Sequence, residues 1–318
     1  VSRREPPRSK AGSKAKSKAS SKASSKAGSP PGRPLVHVPH LLPLLRGRLI
    51  DRYQRFTAEV QLDAGPRVRA HCVNPGRMEG QVRPGARVWL TEVPPELRAT
   101  RKLHYTWELV EELDEHGAAR IVGANTVVPN RIVGALLAAR VLPGLKRFRA
   151  LRAEVGYAHP GAALTKAGKP RRSRIDFLLE GARDHYVEVK NAHLRYPDGR
   201  AYFPDSVSAR AAGHLEALVD RVQAGYRATV LFTIQRTDVW AVRPSMLHDP
   251  VFAEAARRAG EAGVKFRAVT IAAGLGGYDV MREIPVDLRD YDVAEQVPWR
   301  EAKLLYSGWR KDPARAGA

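Results

Sequence analysis

The sequence predicts a small β-barrel of the OB type followed by an α/β layer, with a disordered basic tail in front. Three observations lead there. The opening segment has almost no bulky apolar residue, five short β-like runs separated by turn signals follow it, and beyond Asn125 the pattern changes to helices alternating with strands. A chain of 318 residues exceeds one typical domain, and its 43% hydrophobic share is enough for more than one core.

The tail is justified by what it cannot bury. Residues 9–32, S-K-A-G-S-K-A-K-S-K-A-S-S-K-A-S-S-K-A-G-S-P-P-G, offer too little apolar surface to offset the entropy of ordering, so residues 1–40 are expected to be disordered. Residues 1–34 carry ten Lys/Arg against one acid, Glu5; of the net charge of +21, this leaves +12 on the rest of the chain. Such an imbalance attracts polyanions, so the expected partner is a nucleic acid. The tail itself reads equally as a histone-like DNA-binding extension or as a solvated one. The chain opens on Val1 rather than Met, which fits an incomplete record or an alternative start codon.

No window approaches the roughly 18 apolar residues of a membrane span, and no apolar segment with a small-residue cleavage site follows the basic start. Cys72, the single cysteine, excludes an internal disulfide and a multi-thiolate zinc site. The expectation is a soluble, non-secreted chain in a reducing cytoplasm, with no membrane partner.

The barrel is expected over residues 41–122. Arg48–Asp51, Thr57–Leu62, Arg67–Cys72, Arg87–Val93 and His104–Glu111 read as its strands, parted by Ala64-Gly65-Pro66, Asn74-Pro75-Gly76 and Pro84-Gly85. The same pattern suits any small β-barrel, but the OB type often holds nucleic acid. Over residues 123–287, Pro129 opens a helix with Ile132, Leu136, Leu137 and Val141 on one face, stopped by Pro143-Gly144. A segment with Glu154, a hairpin at 173–190, helices near 206–223 and 251–262 and strands near 228–235 and 264–271 complete the layer. Residues 288–318 show no clear element.

The hairpin S-R-I-D-F-L-L-E-G-A-R-D-H-Y-V-E-V-K carries the chemistry. Glu188 and Lys190, two apart on a strand, share a face, while Val187 and Val189 point the other way. A loop centred on Ala182 puts Asp176 opposite Glu188, and opposed like charges destabilise a sheet. Lys190 offsets part of that repulsion. A divalent cation held by Asp176 and Glu188 would offset more, and hard oxygen ligands suit Mg²⁺. Glu154 is the upstream acid that can join them. Taken alone, E-V-K is common and suits an ordinary surface hairpin with a cross-strand Lys–Glu pair better than a site; the order Glu154, Asp176, Glu188-x-Lys190, then a helix and a buried strand, raises the site reading.

Seven stretches resemble one family: H-C-V-N-P-G-R-M (71–78), R-K-L-H-Y-T-W-E-L-V (101–110), G-A-N-T-V-V-P-N-R-I-V (123–133), S-R-I-D-F-L-L (173–179), Y-V-E-V-K-N (186–191), F-P-D-S-V (203–207) and L-F-T-I-Q-R-T-D (231–238). Together they resemble the sugar fermentation stimulation protein A family over most of residues 41–287. The resemblance implies an OB-like domain, a PD-(D/E)XK nuclease-like α/β domain, DNA binding, and Asp176, Glu188 and Lys190 at the nuclease-motif positions with Glu154 upstream. It also implies a bacterial, cytoplasmic protein, associated with the nucleoid if the DNA reading holds.

Two departures lie inside the matched region. Residues 158–172 form a basic, Gly/Pro-rich insertion expected to be a mobile loop, and Gly213 stands where a lysine is expected. Arg210 and His214 remain one helical turn apart as phosphate contacts. Arg77, after the Asn74-Pro75-Gly76 turn, either reaches a phosphate or caps a barrel loop; the surrounding Arg46, Arg48, Arg52 and Arg69 favour the contact slightly, and Arg174 joins the nucleic-acid contacts. Asn130 and Arg131, at a helix start, either bind an anion there or cap the helix within its own chain. Histidines 159, 185, 193 and 214 show no metal-ligand spacing and read as surface or hydrogen-bonding residues.

Three functions follow: a DNA-binding protein with a nuclease-like domain, acting on double-stranded DNA with little sequence preference and affecting sugar-utilisation genes; an active Mg²⁺- or Mn²⁺-dependent phosphodiesterase; or a histone-like compactor acting through the tail. Deleting residues 1–34 separates the last from the others. The truncated chain should still bind DNA at low salt, with a shallower dependence of log affinity on log salt, because +12 remains. A gel-shift salt titration checks this, and complete loss of binding moves the function into the tail.

Overall fold

A computed structural model describes Val1 and residues 32–158 and 172–312 of the chain. The expected tail, at residues 2–31, and the inserted loop, at 159–171, lie outside the described residues.

Barrel strands run β2 (Leu44–Tyr53), β3 (Thr57–Leu62), β4 (Arg67–His71), β5 (Arg87–Glu92), β6 (Tyr105–Leu113) and β7 (Ala119–Gly123), after a leading β1 (Val36–Pro39) that belongs elsewhere. Their order is β4-β3-β2-β5-β6-β7. Register shifts at Leu49/Asp51 and Trp89/Leu90 mark irregularities of the bulge type, which bend a sheet. The bend brings β4 beside β6 in parallel, Ala70 opposite Tyr105, and closes the barrel. Leu49, Val60, Val88, Trp107 and Val110 fill its interior. The sixth strand, β7, escapes the sequence pattern because Ala119-Arg120 opens it with two exposed residues.

The α/β part follows with α1 (Val128–Ala138), β8 (Ala150–Ala158), β9 (Arg172–Glu180), β10 (His185–Asn191), β11 (Leu194–Arg195), β12 (Arg200–Phe203), α2 (Ala209–Gln223), β13 (Arg227–Ile234), β14 (Ala241–Pro244), α3 (Pro250–Glu261), β15 (Lys265–Gly274) and β16 (Gly277–Ile284). A seven-stranded sheet runs β1-β16-β15-β13-β10-β9-β8, and β11-β12-β14 form a small second one. Strands β10, β13 and β15 are mutually parallel, and β10 and β13 are buried almost throughout, as a strand covered on both faces must be. Ile132 and Leu136 of α1 cluster with Val187 and Val189 on one side. On the other, Leu215 of α2 and Phe252 of α3 cluster with Tyr186 and Phe232. The expected division of β10 between its two faces is therefore present.

Two expected boundaries need correction. Residues 36–39, placed in the tail, pair antiparallel with β16, Val36 opposite Val280, because Val36 and Val38 offer an apolar pair to an open sheet edge. The C-terminal extension forms α4 (Gln296–Leu304) and returns to the barrel, where Arg310 and Arg52 share a backbone hydrogen bond and Asp312 holds Arg69. Its anchors are polar and distant in sequence, so no local period announces them.

The barrel docks on the sheet through buried charge. Arg236, just past β13, donates to Glu112 of β6 at 3.0 Å and to both carboxylate oxygens of Asp238, while Lys303 of α4 reaches Glu112 at 2.8 Å. Burial pushes the Glu112 carboxyl up, but the Arg236 and Lys303 charges outweigh it and hold it below its ordinary range. Next to this contact, Gly123 ends β7 against Gln235: a Cβ there would lie 1.9 Å from the Gln235 Oε1, so only glycine fits. Arg236→Ala should cost at most about 3–5 kcal/mol, because Glu112 keeps Lys303 and Asp238 keeps Arg120 and Arg195; a lower urea midpoint with folded-state circular dichroism retained measures it.

Candidate metal and nucleic-acid site

The pairs His185 with Leu179, Tyr186 with Leu178 and Val187 with Phe177 centre the hairpin on Ala182, as its sequence predicts, and bring Glu188 level with Asp176. On the other side, Ala153 opposite Phe177 and Val155 opposite Ile175 put Glu154 level with Asp176 too. Three acids thus form one row across β8, β9 and β10. Glu154 adopts φ 55°, a left-handed conformation that costs a non-glycine residue of order 1–3 kcal/mol and tends to mark functional sites.

Each acid has a different set of partners. Asp176 accepts from Asn130 Nδ2 on Oδ1 at 2.9 Å and from the Val189 backbone N–H on Oδ2 at 2.7 Å. Burial, and then the charge of Glu188, push its carboxyl above the ordinary range despite those two donors. Glu188 is 4% exposed and accepts from Lys190 Nζ at 2.7 Å on Oε1, the same oxygen that His214 Nδ1 touches. Burial pushes it up, but the His214 hydrogen bond and the Lys190 charge prevail and hold it below its ordinary range. Arg210 Nε donates to His214 Nε2 at 3.3 Å, which leaves the Nδ1 proton for Glu188. Glu154 is half exposed and takes Asn130 Nδ2 at 3.3 Å and Arg174 at 3.2 Å.

Asp176, Glu188, Lys190 and Glu154 therefore come together as predicted, and Asn130, Arg174, Arg210 and His214 join them. Their roles change: Asn130 spans two acids instead of taking an anion, and His214 serves Glu188. A Cβ at Gly213 would meet nothing within 4 Å, so the missing lysine leaves open space. Arg131 stands apart, lining a small cavity with His40 and Glu108.

The ring expected around Arg77 does not form. Arg52 is wholly buried, donating to the carbonyls of Arg55, Asn74 and Gly76, and Arg69 is forked onto Asp312 at 2.9 Å. Arg46 pairs with Asp63, and Arg48 donates to the Gly85 carbonyl; they lie six and four residues before Arg52, roughly 20 and 13 Å along the strand. Arg77 Nε is buried and has no hydrogen-bond partner. His185 and His193 are buried and take the hydrogen-bonding reading rather than the surface one: His185 meets Thr229 Oγ1 at 2.7 Å, and His193 lies 3.3 Å from Asp205 Oδ2.

Sequence reasoning missed Arg221, whose guanidinium lies 5.5 Å from the Tyr157 ring, 6.0 Å from Tyr186 and 5.8 Å from Tyr226. Its signal was the seven-residue step from His214, two helical turns along one face of α2.

The donors suit a hard divalent cation. Two carboxylates converge in a half-buried place, and Lys190 and His214 both meet Glu188 at the same oxygen, Oε1. Among the described residues no three His, Cys, Asp or Glu side chains form a closed metal cage. An ion held by one or two carboxylates and several waters needs none, which is the habit of Mg²⁺.

A closed barrel on an α/β sheet with an acid row beside a lysine defines a class, and similarity gives the family. Residues 50–117 match the SfsA N-terminal OB domain, and residues 127–276 match the sugar fermentation stimulation protein RE domain. A sugar fermentation stimulation protein homolog of Dinoroseobacter shibae is 42% identical over 248 residues, 77% of this chain and 94% of that one. The homolog of Thioalkalivibrio sulfidiphilus is 40% identical over 77% of this chain and 96% of its own. The structure of Pyrococcus furiosus SfsA in complex with Ca²⁺ superposes with a TM-score of 0.64 at 25% identity, over 80% of this chain and 100% of that one. The chain belongs to the sugar fermentation stimulation protein family.

A raised carboxyl has a measurable cost. An unfolded aspartate titrates near 3.9 (about), so between there and the folded value the folded chain keeps the extra proton. Stability falls as pH rises through that window, and the penalty is complete above the folded pKa. In EDTA, Asp176→Asn should therefore melt higher than the parent at about pH 8, and the two should converge toward about pH 3.

Proposed function

We propose that this chain binds double-stranded DNA with little sequence preference and holds Mg²⁺ or Mn²⁺ between Asp176 and Glu188 at the DNA-facing edge of its α/β domain. The observation that carries the reading is the row itself: a fold that aligns Glu154, Asp176 and Glu188 accepts repulsion that a cation would relieve. The Ca²⁺ bound by the Pyrococcus furiosus relative supports a divalent ion in this family, and the charge of +12 outside the tail supports a polyanionic partner. The family's name associates it with sugar use; altered expression of sugar-utilisation genes is the effect that DNA binding would have.

A second reading, metal-dependent cleavage of the phosphodiester, is favoured by Lys190. An ammonium is no metal ligand, but it holds a water or a phosphate oxygen by donating to it. The ion would lower the pKa of a bound water and stabilise charge on the phosphate. The protein's own part is to aim: Asn130 and the Val189 N–H fix Asp176, His214 and Lys190 fix Glu188, and Arg210 fixes His214.

Mg²⁺ and Mn²⁺ titrations test both readings. The melting temperature should rise with ion concentration, by the equivalent of about 2.7 kcal/mol at a hundredfold excess over Kd. Asp176→Asn should abolish that rise. If the chain cleaves DNA, Lys190→Ala should suppress cleavage and keep the rise. A flat melting curve with no metal-dependent cleavage removes the ion from the proposal and leaves DNA binding alone to be tested.

A further inference from the structure

A second cavity lies on the barrel, between β3, β4 and the loop that leads from β5 into β6, with a volume of about 450 Å³. That is within the usual size of a small-molecule site, roughly 300–1,000 Å³. Phe56 lines it and is 42% exposed, an unusual position for a phenylalanine in a chain with seven. His71 meets the Phe56 ring edge-on at 6.4 Å, and burial, then the Arg101 charge, lower the His71 pKa. Arg55 extends this surface: its guanidinium lies 5.8 Å from the Phe56 ring and 5.2 Å from that of Trp309, which is also exposed.

The charges in the cavity divide into a closed pair and an open pair. Arg69 is forked onto Asp312, the acid among the lining residues. Arg101 and Lys102, both exposed, form no ion pair among the described residues. A part-exposed aromatic ring, with the Arg55 guanidinium over one face, beside two cations that have no ion pair among the described residues meets what a nucleotide with an unpaired base requires, a ring to stack on and charge for the phosphate. A paired base hides its face in the duplex and cannot use Phe56.

We infer that this barrel cavity binds an unpaired nucleotide of a DNA strand, the base on Phe56 and the flanking phosphates at Arg101 and Lys102. The inference rests on the DNA-binding reading above and narrows it: the chain engages DNA at an end, a flap or another single-stranded stretch. The acid row takes no part in this contact, so the two sites separate by mutation.

The test uses fluorescence anisotropy of the full chain with a labelled oligo-dT strand and a blunt duplex of equal length. Phe56→Ala should weaken the single strand about tenfold, with the duplex unchanged. Phe56→Tyr should restore the affinity. Arg101→Ala with Lys102→Ala should reduce the single-strand salt slope by about 1.4, or 0.7 for each phosphate contact. All three replaced residues are exposed, and an unchanged melting temperature verifies the fold. Equal losses on both DNA forms, or no loss with Phe56→Ala, overturn the inference. A parent chain that binds the duplex and not the single strand overturns the inference alone. One that binds neither overturns the DNA-binding reading as well.

Discussion

The contact between Arg236 and Glu112 fixes how the two halves of the molecule meet. Both side chains are buried, so neither charge has water to return to, and each tolerates its burial only because the other is there. Asp238 occupies the rest of the guanidinium fork, and Lys303 brings the C-terminal helix to the same carboxylate. Nearby, Glu79 of the barrel is fully buried against His248 at 3.0 Å, with Arg300 and Tyr196 at 3.3 Å. A hydrophobic junction would permit sliding. Charges with fixed hydrogen-bond geometry permit one register.

Rigid docking gives the acid row its setting. Helix α1 leaves the barrel at the Thr126-Val127 turn, and its first turn presents Asn130 to Asp176 and Glu154. The Thr126 hydroxyl donates to the Val73 carbonyl of the barrel at 3.2 Å, so the start of the helix is tied to the barrel wall. The aim of Asn130 thus depends on packing far outside the row. Asp176 then has the higher carboxyl and Glu188 the lower one, although both are withdrawn from solvent, because an ammonium and an imidazole N–H face Glu188 while an amide and a backbone N–H face Asp176. The donors at Asp176 set direction, and those at Glu188 set charge.

Much of this was legible in the sequence, and the illegible parts share a cause. The Ala182-centred register follows from loop symmetry alone, and the face-sharing of Glu188 and Lys190 from strand period alone. Asn130 was legible only as a helix-start residue, because its partners lie 24 and 46 positions away. Arg52 looked like a groove cation beside Arg77; its partners are the carbonyl of Arg55, three residues on, and those of Asn74 and Gly76 in a later loop that local pattern does not bring to it. The edge strand at 36–39 and the helix at 296–304 were hidden for the same reason. Each gains its stability from residues more than 100 positions away, and local pattern carries no record of such partners.

Net charge behaves in the same way, and the pairing decides what it means. Arg46, Arg67, Arg69, Arg87, Arg98, Arg243 and Arg267 each have a carboxylate partner, so these guanidinium groups contribute little field at a distance. Arg101, Lys102 and Arg210 have none among the described residues, and they stand beside the barrel cavity or above the acid row. A uniformly basic surface would hold DNA anywhere. Cations without a carboxylate partner beside the barrel cavity and above the acid row instead add local charge at two shaped places, although Arg48 and Arg77, which also have no ion pair among the described residues, lie apart from both.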